Sequence, residues 1–138
     1  MSARTSARTK ARKRALDLLF AGEAQGVSPV TMLDEQIAAG ERPNNPYTET
    51  LVRGVVAEQA EIDEVLARYS QDWPLDRMPA VDRNVLRLGV WELTRADDVP
   101  DEVVISEAVG LVRDLSTDDS PQFVNGVLGA IQRDGVRL

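Results

Sequence analysis

Apolar residues recur three and four positions apart along almost the whole 138-residue chain, and that period confines it to helices that each bury one face. Over residues 6–25 the stripe is Ala11, Ala15, Leu18, Leu19 and Gly22. Ser28-Pro29 reads as an N-cap followed by a first-turn proline, opening a helix with Val30, Leu33 and Ile37 inward and Gly40 at its end. Residues 41–46, Glu-Arg-Pro-Asn-Asn-Pro, form a turn-rich loop too short to separate two cores. The spacing of Tyr47, Leu51, Val55, Ile62, Val65, Leu66 and Tyr69 predicts one long helix over residues 47–69. Pro74 and Pro79, with Trp73, Leu75 and Met78 around them, predict a short helical turn. Val85 to Leu93 is apolar on nearly every side, which suits a central buried helix; a strand competes, and the spacing of Val81, Val85 and Leu88 favours the helix. Ile105, Ala108, Val109 and Val112 mark the next helix. Ser120-Pro121 opens the last, which carries Phe123, Val124, Val127, Leu128 and Ile131, and the chain beyond residue 134 is expected to fray. The expected fold is all-α, a single-domain helical bundle of about seven helices. Gly54, Gly89, Gly110 and Gly126 fall inside these helices, where each costs about 1 kcal/mol relative to Ala, so they are expected at close helix approaches.

The chain has no Cys and no His. Disulfides, zinc fingers and thiol chemistry are thereby excluded, as are histidine acid–base catalysis and histidine metal ligation. The acidic pairs Asp97/Asp98 and Asp118/Asp119 stand just before helices, where carboxylates complement the helix dipole and need no catalytic role. No serine or threonine has a histidine base, both lysines lie near the N-terminus, and no strand leads into a phosphate loop. The expectation is a protein without catalysis, metal or cofactor. No apolar run approaches the roughly twenty residues of a membrane span, and the N-terminus lacks a signal peptide's apolar core, so a cytoplasmic protein with no membrane partner is expected.

Charge is distributed unevenly. The first fourteen residues carry Arg4, Arg8, Lys10, Arg12, Lys13 and Arg14 with no acid, and since the whole chain nets −7, the remainder nets −13. A cationic stretch on an acidic body is a candidate nucleic-acid contact. Residues 1–7 read as a flexible basic arm, residues 8–134 as the folded domain and residues 135–138 as a frayed tail. Lys10 to Ala15 is continuous with the first amphipathic helix, so its charges are held on a structured surface. An anionic membrane would want bulky apolar residues interleaved with the charge, and this stretch offers only Ala.

Several segments together resemble one family. Lys10-Ala11-Arg12 leads to Ala15-Leu16-Asp17-Leu18-Leu19-Phe20; Val81-Asp82-Arg83-Asn84-Val85-Leu86-Arg87 is followed by Trp91-Glu92-Leu93; Val99-Pro100 precedes Ile105-Ser106-Glu107-Ala108; and Asp119-Ser120-Pro121-Gln122-Phe123-Val124-Asn125-Gly126-Val127-Leu128 ends the series. In this order, from about residue 9 to 131, they resemble the transcription antitermination factor NusB family. Thr117 to Pro121 and Trp91 are similar to its actinobacterial branch.

The resemblance implies an all-helical, non-catalytic protein. It would pair with NusE, which is also a small-subunit ribosomal protein, bind the boxA element of nascent RNA, and join the RNA polymerase antitermination complex that reads through terminators in ribosomal RNA operons. It implies that Arg8, Lys10 and Arg12 match the family's arginine-rich RNA-binding motif, with Lys13 and Arg14 adding charge, and that Arg87 and Asp119 match positions near the RNA. Phe20, Asp82 and Phe123 match positions at or beside the NusE surface. Thr9 stands where many relatives have another Arg, Phe20 replaces a common Tyr and so offers only apolar contact, and Asp82 is one methylene shorter than a frequent Glu. A homodimer, an RNA-modifying system with a NusB-like domain, and a helical adaptor that binds no RNA are the alternatives. If four to six phosphates are neutralised, log affinity should fall with log salt at a slope of about −3 to −4.

Overall fold

The computed structural model describes residues 6–138. Seven α-helices run in chain order: α1 Ala7–Gln25, α2 Pro29–Ala38, α3 Pro46–Ala57, α4 Gln59–Tyr69, α5 Ala80–Arg95, α6 Asp101–Leu115 and α7 Ser120–Arg133, with a 3₁₀ turn at Leu75–Arg77 before α5. No described residue is in a strand, so the all-α expectation holds. The chain clusters into two compact units that divide between Ala57 and Glu58.

The first unit packs α1, α2 and α3 against one another. Helix α1 starts where the Ser6 hydroxyl accepts the Thr9 amide at 3.2 Å, so Ser6 and Ala7 belong to a capped helix rather than to the expected arm. The rest of that arm, including Arg4, lies outside the described residues. Helix α2 opens as anticipated, with Ser28 accepting the Val30 amide and Pro29 at the first position. Gly22 permits the tight return between α1 and α2, because a Cβ there would lie 2.7 Å from the Val27 carbonyl oxygen and 2.8 Å from Pro29 Cγ. Helix α3 is capped by Asn45, whose side-chain oxygen accepts the Tyr47 amide at 2.9 Å, and it buries Tyr47, Thr48, Leu51, Val52 and Val55.

Residues 47–69 do not form one helix. Glu58 leaves the helical backbone at φ −116° and ψ 19°, and α4 begins at the next residue. The break is silent in the apolar pattern because Val55 and Ile62, both wholly buried, are seven residues apart, the spacing of two turns. Each stripe serves its own unit, and the Glu58 carboxylate receives a forked bond from Arg95, at 3.0 Å from Nε and 2.7 Å from Nη2.

In the second unit, α5 is buried on almost every side, from Asp82 through Glu92, as its composition predicts. It packs on α4, α6 and α7. Gly89 is a close approach: a Cβ would sit 2.7 Å from Leu128 Cδ1 of α7. Gly126 is not, for it is exposed with open space where a Cβ would go. The inward face of α6 is Val104, Ala108 and Val112, with Ile105 and Val109 only half-buried beside it. The cap of α7 is Asp119 rather than Ser120, which becomes the first helical residue and is wholly buried. The tail expected to fray begins instead with a closed C-terminal motif. Gly135 takes φ +63°, its amide bonds to the Gln132 carbonyl, and the Val136 amide reaches back to Ile131.

Candidate nucleic-acid interface

On α1, Arg8 and Arg12 share a face, as four-residue spacing requires. That face turns toward Tyr47 of α3. The Arg8 guanidinium lies 4.1 Å from the centre of the Tyr47 ring and Arg12 lies 5.7 Å from it, so one aromatic ring receives both cations. Arg12 is only 4% exposed, which makes it part of the packing of α1 on α3. Beside it, the Thr48 hydroxyl donates to the Ala11 carbonyl at 3.1 Å. Arg8 keeps partial exposure.

Lys10, Lys13 and Arg14 lie on other faces. Lys10 is exposed. Lys13 Nζ contacts both carboxylate oxygens of Asp17, at 2.8 and 3.0 Å, in an exposed pair that water and salt weaken. Arg14 donates to the Gln36 side-chain oxygen at 2.6 Å. Lys10 and Arg14 form one wall of an open groove of about 850 Å³, whose opposite wall is the loop of residues 40–46 with Glu41, Arg42, Asn44 and Asn45. Arg42 pairs loosely with Glu49 at 3.4 Å. Sequence reasoning missed Tyr47 as the seat of the two arginines and missed the loop as a wall of the site. The loop carries its own signal, an Arg and two Asn between prolines, yet only folding brings it beside residues 10–14.

The second unit holds the remaining candidates. Arg87 is 8% exposed and fully engaged: Nε and Nη2 meet the Asp63 carboxylate at 2.8 and 3.0 Å, and Nη1 donates to Asn84 Oδ1. These three bonds use three of the five guanidinium N–H groups and fasten α5 to α4, so Arg87 has a structural role in the second unit. Asp82 is 0% exposed and accepts from the hydroxyls of Ser116 at 2.5 Å and Ser120 at 2.8 Å. Its carboxylate is closed off from solvent. It ties the start of α5 to the α6–α7 junction instead. Asp119 is exposed and makes no side-chain cap bond.

Phe123 stands edge-on to Trp73, with ring centres 4.8 Å apart, and lines a groove of about 430 Å³ with Tyr69, Asp72, Gln122 and Gly126. Phe20, in the first unit, is 42% exposed, a large apolar side chain left on the surface. Among the described residues, no cluster of three or more His, Cys, Asp or Glu could hold a metal ion, and no helix is long and apolar enough to cross a membrane.

The NusB family pattern matches residues 9–133. The chain belongs to the NusB family. It is 69% identical over 129 residues to the transcription antitermination protein NusB of Nocardioides sp., covering 94% of this chain and 96% of that one. The NusB of Kineococcus radiotolerans is 55% identical over 126 residues, covering 91% and 93%. Among solved structures, T. maritima NusB is similar with a TM-score of 0.83 at 32% identity, covering 94% of this chain and 92% of that one. A complex of antitermination factors NusB and NusE with double-stranded RNA is similar with a TM-score of 0.79 at 31% identity, covering 92% and 96%. The family membership makes this an antitermination factor, and it places the basic end of α1 in a fold also found bound to RNA and NusE.

Proposed function

We propose that this NusB-family protein binds boxA RNA together with NusE and joins the RNA polymerase complex that reads through terminators in ribosomal RNA operons. Its role is to hold RNA and partner, in the cytoplasm, without catalysing a reaction. The observation that carries this reading is the presentation of Lys10, Lys13 and Arg14 along successive turns of a capped helix, with Arg8 steadied on Tyr47. A fixed helix brings several cations to one phosphate backbone at once, which favours a polyanion over scattered counterions. Residues 8–134 act as one RNA-binding domain in this reading, Asp119 flanks the RNA, and Phe20 and Phe123 are the apolar anchors for NusE. The acidic body, in a chain whose sequence pI is near 4.6, attracts a basic partner.

The test replaces Lys10, Lys13 and Arg14 with Ala and leaves the buried Arg12 intact. Anisotropy titration of boxA RNA should lose affinity by roughly ten- to a hundredfold at moderate salt, while NusE association measured by light scattering stays near that of the unsubstituted protein. Equal RNA affinity in the two proteins would overturn the reading. Mass measured in the same samples reports whether a homodimer competes with either partner.

A further inference from the structure

We infer that the groove between the first turns of α1 and the loop of residues 40–46 is a base-reading subsite, in which the Asn44 amide hydrogen-bonds an unpaired adenine while Lys10 and Arg14 hold the neighbouring phosphates. This rests on the RNA-binding reading above and adds to it a sequence-reading residue. The groove, at about 850 Å³, is within the roughly 300–1,000 Å³ of sites that enclose small ligands. Its two walls differ in chemistry. The α1 wall offers Lys10 and Arg14, and the loop wall offers amides, the carboxylate of Glu41 and the guanidinium of Arg42, which pairs with Glu49 of α3, with Pro43 as apolar surface. With Arg42 answered by Glu49, the uncompensated cations of the groove are on α1, so the phosphate of a nucleotide faces α1 and its base faces the loop, where Glu41 disfavours a phosphate.

The loop is held at both ends. Gly40, at φ +85°, closes α2 with bonds from its own amide to Ile37 and from the Glu41 amide to Gln36 at 2.7 Å. At the other end, Asn45 caps α3 through its side chain and its carbonyl accepts the Thr48 amide at 3.1 Å. Pro43 and Pro46 restrict the backbone between these anchors. Asn44 therefore projects from a fixed segment, exposed, and its amide has no hydrogen bond among the described residues. A side-chain amide matches the N6 donor and N7 acceptor of adenine. Protein recognition of RNA sequence uses such edges mainly on bases outside duplexes.

The experiment titrates single-stranded boxA RNA in which each adenine in turn is replaced by purine, which lacks the N6 amino group. For the unsubstituted protein one position should weaken binding roughly tenfold. Asn44→Ala should weaken the unmodified RNA by the same factor, and the purine replacement should then cost nothing further. Lys10→Ala should weaken every RNA alike and reduce the salt slope by about 0.7. If Asn44→Ala binds every RNA as the unsubstituted protein does, the subsite is wrong while RNA binding stands. If the unsubstituted protein binds none of these RNAs even with NusE added to the titration, the RNA-binding reading and the subsite fail together.

Discussion

Arg12 and Arg87 look in sequence like their neighbours in a cationic surface, yet both are buried and occupied. What separates them from Lys10 is a partner lying far along the chain: Tyr47 for Arg12, Asp63 for Arg87. Removing Arg87 leaves Asp63 without its counter-charge, and because that carboxylate is partly solvated the cost should be about 2–3 kcal/mol. Urea denaturation of Arg87→Ala should show this as a lower midpoint, with boxA affinity of the folded variant unchanged; a selective loss of RNA binding at full stability would restore Arg87 to the RNA surface. Tyr69 offers a pH-dependent check. Its hydroxyl donates to Asp134 Oδ2 at 2.6 Å, and this bond, with partial desolvation and the Asp134 charge behind it, raises its pKa above the ordinary 10.0. The protonated phenol is the form that donates, so its contribution is complete below the unfolded pKa and is lost as pH rises through the raised folded value. The stability difference between the unsubstituted protein and Tyr69→Phe should therefore shrink above pH 10, and a constant difference across that range would show that the hydrogen bond is not its source.

Elements are shaped by close approaches that a stripe of apolar residues does not announce. Gly22 and Gly126 both sit within helices, but a Cβ at Gly22 meets a backbone oxygen and at Gly126 meets nothing. Gly22→Ala must move the α1–α2 connection and should cost about 1–3 kcal/mol. Gly126→Ala should instead stabilise α7 by about 0.5–1 kcal/mol, since Ala loses less backbone freedom in a helix. Thermal unfolding of the two variants should move in opposite directions. NusE affinity of Gly126→Ala then reports on the Phe123 groove, because the added methyl lies on its wall. The single-residue break at Glu58 belongs to this scale too: periodicity carries across it, and only the packing of α3 and α4 in separate units makes it visible.

For the whole molecule, the arrangement of charge matters more than its total. With Arg12 buried, three to four cations of the described N-terminal stretch remain for phosphates, so the slope of log RNA affinity against log salt should be about −2 to −3, shallower than a count of every basic residue implies. A measured slope near −4 or steeper would mean that cations outside α1 also meet the RNA. The all-α class, most helix limits, the central place of α5 and the basic start of α1 were legible in the chain because each depends on spacing of a few residues, within reach of periodicity, caps and prolines. The family resemblance was legible for the same reason, as ordered local motifs. Burial of Asp82 beneath Ser116 and Ser120, the stacking of Arg8 and Arg12 on Tyr47, and the meeting of Lys10 with the Asn44 loop were decided only by tertiary structure. These are contacts between residues tens of positions apart, and a charge's availability depends on what folding places against it, which no local pattern encodes.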